Sequence, residues 1–209
     1  MIFTERYKSH HDASRHLKKR YTANTAGAEY LPAVLAQEAK SRRVIYLHVP
    51  FCNKVCTFCP FHRPDELNRR EYHLYLIREM HKVRDYPYMQ APIDAINFGG
   101  GTPTSLSHMQ MEAVLSELHN SFTIAPGAEI SVETSATGLS DEMIAVLKAG
   151  GVNRLSVGIQ TFDPTARKLL GRRGSGEFAA SRVEAAIRAG IRNTSVDLIY
   201  HYPGQTDEQ

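Results

Sequence analysis

The sequence predicts an α/β fold, namely a partial (β/α) barrel of parallel strands that is truncated at its C-terminus. Strand-like and helix-like segments alternate from residue 43 onward, which is typical of βαβ units. One side of each predicted strand is polar or small, and the other side is apolar. The last four residues begin with Thr206 and finish with Gln209, a capping-box pair that would begin a further helix.

The chain divides into two predicted regions. Residues 1–42 are polar and weakly periodic, and we expect an N-terminal extension with a short helix near 31–40. Residues 43–209 form the predicted core, with helices at about 66–85, 107–121, 140–149 and 176–189. The predicted strands are Val44–Val49, Ile93–Phe98, Ala128–Glu133, Arg154–Ile159 and Thr194–Tyr200.

Helix boundaries carry recognisable signals. Ser107 with Gln110 three residues later is a capping box, which begins a helix. Asp163 before Pro164 places a good N-cap in front of a proline at the first helical position. Gly150 lies where a helix should end.

The polar side of the strands indicates where the site lies. Strands that are covered on both faces should read as nearly continuous apolar runs, and these do not. Their polar members concentrate at the C-terminal ends, where barrels of this kind keep their active sites. The set comprises Tyr46, His48, Asn97, Gly99, Ser131, Glu133, Ser156, Gly158, Gln160, Ser195 and Asp197. An ordinary interior polar layer is the alternative for any one of them.

Composition excludes several classes of protein. A chain of 209 residues with 42% hydrophobic residues is a folded protein rather than a disordered one. The net charge of +3 is too small to imply a nucleic-acid partner, and the basic run at 15–20 fits an exposed tail or helix end. No apolar run reaches the ~20 residues of a membrane span, and no signal peptide is apparent. We therefore expect a cytoplasmic protein.

The cysteines predict a metal site. All three, Cys52, Cys56 and Cys59, lie within eight residues, which does not suit a disulfide framework. Thiolates suit iron–sulfur clusters and zinc, but a structural zinc site needs four ligands. Three thiolates would instead bind three irons of a four-iron cluster and leave the fourth iron open. Zinc completed by His48 or His62, and three coincidental core cysteines, remain as alternatives.

A glycine-rich loop follows the second predicted strand. Gly99, Gly100 and Gly101 carry no Cβ, so the backbone can approach a ligand closely before Thr102. The loop is neither a P-loop nor a dinucleotide fingerprint, because the required lysine or glycine spacing is missing. A tight turn is the alternative interpretation.

These motifs resemble a known family. The Cys-x3-Cys-x2-Cys spacing, with Phe58 before the third cysteine, is similar to the radical S-adenosylmethionine (SAM) superfamily. The stretches at 46–52 and 99–104 resemble its oxygen-independent coproporphyrinogen III oxidase group, which includes haem-chaperone and anaerobic haem-degrading relatives. The resemblance covers about residues 44–206.

The resemblance implies cofactors and contacts. The cysteines would hold a 4Fe–4S cluster whose open iron chelates SAM, and one electron would cleave SAM to a 5′-deoxyadenosyl radical. No residue of the chain is assigned a catalytic role. By the resemblance, SAM contacts fall on Tyr46, Phe58, Gly100, Gly101, Thr102 and Glu133, and contacts to a second SAM fall on Gln160, Arg172 and Asp197. Taken alone, Glu133 and Arg172 could equally be solvated charges.

The motif departs from the oxidase behind the third cysteine. Pro60-Phe61-His62 stands where the oxidase carries Gly-Cys-Asn, and Phe61 is closer to the haem-chaperone and haem-opening relatives. Three hypotheses follow. The first is a radical SAM enzyme that acts on a tetrapyrrole, either a porphyrinogen or haem, with a flavodoxin-type or other reductant. The second is a haem-trafficking protein without turnover, and the third is a zinc-stabilised interaction domain.

Overall fold

The computed structural model describes residues 27–54, 56–60 and 69–206. The basic run at 15–20, Phe61, His62 and the capping partner Gln209 lie outside these ranges. In the described part the strands are β1 Val44–Val49, β2 Ile93–Gly100, β3 Ile124–Ser135, β4 Arg154–Gln160 and β5 Asn193–Leu198. The α-helices are α1 Gly27–Leu35, α2 Tyr72–Val83, α3 Pro87–Gln90, α4 His108–Ser121, α5 Asp141–Ala149, α6 Pro164–Leu169 and α7 Gly176–Arg188, and two short 3-10 turns span Pro103–Ser105 and Ala136–Gly138.

The strands form one parallel sheet in sequence order, β1-β2-β3-β4-β5. Each strand returns through a helical connection, so all five carboxyl ends lie at the same edge of the sheet. The sheet is not closed, because β1 and β5 each pair with a single strand among the described residues. The predicted α/β class and parallel strands are confirmed, and the open sheet is consistent with a partial barrel.

Several boundaries differ from the prediction. The first helix covers 27–35 rather than 31–40. β3 begins at Ile124, four residues early, and its pairing with β2 shifts register between Ile93 and Ala95. That shift accommodates Pro126 and Gly127, whose turn-like chemistry hid the first part of the strand from pattern reasoning.

The helix signals behave as predicted. Both halves of the capping box are present, since the Gln110 amide donates to the Ser107 hydroxyl at 3.3 Å and the Ser107 amide donates to Gln110 Oε1 at 2.9 Å. The carboxylate of Asp163 accepts from the amide of Ala166 at 2.7 Å, and Pro164 begins α6. None of the helices in the described ranges is long and apolar enough to cross a membrane.

The core lies between the sheet and its helices. The apolar side of β1 to β4 is buried as predicted, with Val49, Phe98, Val132 and Val157 at the centre of the cluster. β5 differs, because Val196 is 40% exposed and Leu198 is 55% exposed. The opposite, polar side of the sheet is open, and it leads to the candidate site.

Candidate functional site

The carboxyl ends of the strands surround a cavity of about 240 Å³. Segments that are far apart in sequence meet there, including the cysteine loop after β1, the glycine loop after β2 and the 171–173 loop after α6. Of the predicted site residues, the cavity is lined by Cys52, Cys56, Phe58, Cys59, Gly100, Gly101, Thr102, Glu133, Gln160, Arg172 and Asp197. Tyr46 is the predicted residue that lies outside this lining.

The cysteine loop is held in place by its neighbours. None of the three cysteines forms a disulfide, and each is half-buried. The amide of Cys59 donates to the carbonyl of Cys56 at 3.3 Å, which closes a turn between them. The hydroxyl of Thr57 donates to the carbonyl of Leu169 at 2.9 Å, so the loop is tied to the end of α6.

The glycine loop packs directly on the chain that leads into the cysteines. The amide of Gly101 donates to the carbonyl of Val49, and the amide of Thr102 donates to the carbonyl of Phe51, both at 2.8 Å. The Thr102 hydroxyl also lies 3.4 Å from the sulfur of Cys52. The glycine and cysteine loops therefore form one hydrogen-bonded unit.

The glycines are explained first by the protein's own packing. A Cβ on Gly101 would lie 2.6 Å from the carbonyl oxygen of Phe51, and one on Gly100 would lie 2.8 Å from the ring of His48. Gly100 also has a φ of +113°, which side chains rarely adopt. The sequence interpretation, in which the missing side chains make room for a ligand, thus overlooked this internal contact, although both glycines also line the cavity.

Two of the cysteine sulfurs lie within hydrogen-bonding distance of other side chains. Besides the contact of Cys52 with Thr102, the sulfur of Cys56 accepts from Arg172 Nη1 at 3.1 Å. Arg172 also donates to the carbonyl of Gly158, while its buried Nε has no partner. The guanidinium therefore lies inside the site, and the alternative of a solvated surface charge does not describe it.

Within the described residues, no three His, Cys, Asp or Glu side chains converge so as to hold one metal ion. A single zinc ion draws its ligands to one point, whereas a four-iron cluster bonds each cysteine to a different iron. Three half-buried thiols around a common cavity suit the second arrangement better than the first.

The far wall of the cavity comes from β4 and β5. Both carboxylate oxygens of Asp197 accept from the hydroxyl of Ser156 at 3.1 Å. Gln160 has a φ of +71°, which is uncommon for a residue with a side chain, and its carbonyl accepts from the amide of Ile199 at 2.9 Å. Strained backbone of this kind often occurs at functional sites, and here it lies at the end of the strand that faces the cavity.

Tyr46 lies on the open inner face of β1. Its hydroxyl is 3.1 Å from Nδ1 of His48. Partial burial, together with the negative charge of Glu133, raises the pKa of Tyr46, so the phenol stays protonated and able to donate. Tyr46 and Glu133 both lie against Gly99, so Tyr46 lies beside the cavity while Glu133 is part of its wall.

Sequence reasoning missed Arg167. It lines the cavity and is buried, with a side chain that donates to four backbone carbonyls. In the sequence it stands next to Lys168 on a short polar helix, a pattern that indicates a surface position. No sequence signal distinguishes it, because its partners are all backbone atoms.

The fold and the cavity together define a class: an α/β protein of parallel strands with a three-cysteine loop and a glycine loop at the ends of its first two strands. Residues 46–209 match the family model of the Radical SAM superfamily. The chain belongs to the radical SAM superfamily, as the cysteine motif predicted. That family uses a 4Fe–4S cluster and SAM, the two predicted cofactors.

Relatives within the superfamily are those that the extended motifs predicted. The chain is 36% identical over 166 residues to oxygen-independent coproporphyrinogen III oxidase of Bradyrhizobium diazoefficiens, which covers 78% of this chain and 37% of the relative. It is 36% identical over 167 residues to anaerobilin synthase of Escherichia coli, with 78% and 38% covered. It is 34% identical over 163 residues to the heme chaperone HemW of Lactococcus lactis, with 78% and 42% covered. The chain thus spans less than half the length of these curated relatives.

Solved structures agree with this placement. Coproporphyrinogen III oxidase (HemN) from Escherichia coli, described as a radical SAM enzyme, matches with a TM-score of 0.76 and 28% identity over 93% of this chain and 47% of that chain. The radical SAM methyltransferase TsrM from Kitasatospora setae matches with a TM-score of 0.55 and 15% identity over 79% and 32%. The second likeness shows the fold alone.

Proposed function

We propose that this chain forms the cluster- and SAM-binding part of a radical SAM enzyme that acts on a tetrapyrrole. The observation that carries the proposal is that three free thiols and eight predicted cofactor contacts line one cavity at the carboxyl edge of the sheet. In domain terms, residues 43–209 would be an incomplete barrel core and residues 1–42 an extension.

The residues of the cavity fit an iron–sulfur cluster. Thiolates are the usual ligands of such clusters, and Cys52, Cys56 and Cys59 would each bind one iron. Buried donors already face the site, since Arg172 contacts Cys56 and keeps one unpaired nitrogen. Hydrogen bonds to cluster sulfurs orient the ligands and adjust the electronic properties of the metal.

The chain also offers suitable contacts for SAM. When bound, the cluster and SAM supply one-electron cleavage of SAM and hydrogen-atom abstraction from the substrate. The carboxylate of Glu133 can accept hydrogen bonds from an ammonium group or ribose hydroxyls, and Phe58 offers an exposed aromatic surface. Backbone of Gly100 and Gly101 and the hydroxyl of Thr102 form the neighbouring wall. A second SAM would be contacted by Gln160, Arg172 and Asp197. Tyr46 would contact the first SAM from beside the cavity.

The choice of a tetrapyrrole rests on the names of the relatives. A coproporphyrinogen III oxidase, an anaerobilin synthase and a heme chaperone are similar to this chain at 34% to 36% identity. We infer that a porphyrinogen or haem is the substrate, that a flavodoxin-type or other reductant supplies the electron, and that the protein works in the cytoplasm. A haem-trafficking role without turnover is the second candidate, favoured by the likeness to HemW. Phe61 behind the third cysteine fits this role and haem opening alike.

Anaerobic reconstitution followed by a SAM-cleavage assay tests the proposal. We expect four irons and four sulfides per chain, and 5′-deoxyadenosine from the intact protein after reduction with dithionite. Cys56→Ser should abolish both results, because it removes one iron ligand. Thr57→Ser is the matched control, since it keeps the hydroxyl that donates to Leu169. One zinc per chain, or an intact cluster that yields no 5′-deoxyadenosine, would contradict the radical SAM activity.

Turnover assays then separate the two candidates. Reduced protein with SAM is incubated with coproporphyrinogen III or with haem, and the products are separated by chromatography. Decarboxylated porphyrinogen or an opened tetrapyrrole supports the enzyme. Stoichiometric haem binding, with transfer to an apo-haemoprotein and no new product, supports the trafficking role.

A further inference from the structure

Arg167 is a buried cation that lacks an acidic partner. It is 3% exposed, and no ion pair of the described residues includes it. Its guanidinium donates to the carbonyls at the end of β4, at 3.3 Å to Ile159 and 2.7 Å to Thr161. It also donates to the carbonyls of the following loop, at 2.8 Å to Arg173 and 2.9 Å to Gly174. One side chain therefore joins the end of a strand to the 171–174 loop.

That loop carries Arg172. The amide of Arg172 donates to the carbonyl of Arg167 at 2.7 Å, so the two arginines are also connected through the backbone. Gly171 between α6 and Arg172 has a φ of +69°, which turns the chain back toward the cavity. The loop is thus held at both ends, and Arg172 lines the cavity.

The direction of Arg172 is toward the cysteine loop. Nη1 lies 3.1 Å from the sulfur of Cys56, and Nη2 donates to the carbonyl of Gly158. Like Arg167, Arg172 takes part in none of the ion pairs found in the described ranges. The pKa of Arg167 is lowered, mainly by its burial and also by the positive charge of Arg172, which is a sign of how close the two cations are. An arginine side chain carries a positive charge, and Arg172 brings that charge beside the sulfur of Cys56.

We propose that Arg172 donates a charge-assisted hydrogen bond to Cys56 and raises the reduction potential of the cluster, and that the buried Arg167 is the positioning residue that holds Arg172 in place. This inference rests on the proposed function, since it requires a cluster on the three cysteines. Reduction adds one negative charge to the cluster. Hydrogen bonds to its sulfurs and nearby positive charge stabilise that added electron, so their removal makes reduction harder.

A redox titration followed by electron paramagnetic resonance tests the proposal on the reconstituted intact protein. Arg172→Met removes the charge and the donors but keeps a long side chain. We expect its midpoint potential to fall by about 59 mV, which corresponds to a tenfold change in the one-electron equilibrium. Lys168→Met is the matched control, because it loses the same charge from an exposed position four residues away. Its potential should equal that of the unmodified protein.

An unchanged or higher potential in Arg172→Met overturns the proposal, as does an equal fall in Lys168→Met. If Arg172→Met retains fewer than four irons, the redox titration is carried out on Arg172→Gln instead. The amide keeps donors and lacks the charge, so a smaller fall is expected, and an unchanged potential overturns the proposal.

The role of Arg167 is tested by a double-variant comparison. Arg167→Gln should lower the potential by releasing the loop, and the combination with Arg172→Met should fall no further than Arg172→Met alone. Additive shifts would show that Arg167 does not act through Arg172. Failure of the proposed function is a different result, because the unmodified protein would then assemble no four-iron cluster, or would hold the cluster and yield no 5′-deoxyadenosine.

Discussion

Gly101 is a residue of the site whose close contact with neighbouring backbone leaves no room for a side chain. The position of its absent Cβ is occupied by the carbonyl of Phe51 and by Pro50, at 2.6 to 2.9 Å. Its amide meanwhile donates to the carbonyl of Val49. Any side chain would push the glycine loop off the chain that leads into Cys52, so this glycine maintains the geometry of the cysteine loop.

We expect Gly101→Ala to lower the free energy of unfolding by about 2 kcal/mol, because overpacking against backbone atoms forces a shift of the chain. The variant should also retain less iron after reconstitution, as measured by metal analysis on the isolated protein. Gly127→Ala is the control. Its φ is +77° but nothing lies within 4 Å of the new Cβ, so it should cost about 1 kcal/mol and retain its iron. Equal iron retention in both variants would contradict this account.

At the residue scale, sequence reasoning identified most of the cavity wall. The cysteines, Thr102 and Asp197 were predicted, and they line one cavity. Arg167 was not predicted, since its four acceptors are backbone carbonyls that every sequence possesses. The thiol contact of Arg172 was likewise invisible, because it joins residues 116 positions apart.

At the scale of elements, Arg43 anchors the amino end of the sheet. Its buried guanidinium donates to the carbonyls of Tyr88 and Ala91, which flank the end of α3. Its backbone amide donates to the carboxylate of Asp94 in β2 at 2.9 Å, and its side chain lies 5.6 Å from the ring centroid of Tyr88. One arginine therefore connects the start of β1, the short helix α3 and β2.

Arg43→Met should lower the free energy of unfolding by about 2 kcal/mol, because two partly buried carbonyls lose charged donors. Arg42→Met is the matched control, since Arg42 is exposed and its loss should change stability by less than about 0.5 kcal/mol. Urea unfolding followed by circular dichroism measures both. The anchoring role would be disproved by a similar midpoint for the two variants.

Element prediction succeeded where local signals were strong. The capping box of α4 and the start of β1 at Val44 agree with the structure. The early start of β3 and the short α3 were missed, because Pro126, Gly127 and Pro87 read as loop signals. Tertiary pairing with β2 and the anchoring of α3 by Arg43 override those local preferences.

At the scale of the whole molecule, the sheet is buried unevenly. Val157 on β4 and Val196 on β5 are direct neighbours on the outer face, since they pair in register. Val157 is fully buried, whereas Val196 is 40% exposed. The packing around a strand, rather than its own sequence, therefore decides how much its apolar residues contribute to stability, since the other edge strand, β1, buries Leu47 and Val49.

Threonine substitutions at Val157 and Val196 measure this difference in burial. Val157→Thr should cost about 2 kcal/mol of unfolding free energy, because a hydroxyl is buried without a partner. Val196→Thr should cost less than about 0.5 kcal/mol in this chain, since water reaches the new hydroxyl. Thermal and urea unfolding of the two variants test this. Equal losses would mean that the outer face of β5 is covered in solution.

The sequence by itself determined the fold class, through strand parity, and the family, through motifs that resemble it, because both are local features of the chain. It also predicted the three cysteines as cluster ligands. Only the tertiary structure decided which charges serve the site. Arg172 approaches Cys56 because a buried arginine with backbone partners holds its loop, and Val196 stays 40% exposed while its neighbour Val157 is buried. Contacts between distant segments, and the position of a strand within a sheet, leave no periodic trace in the chain.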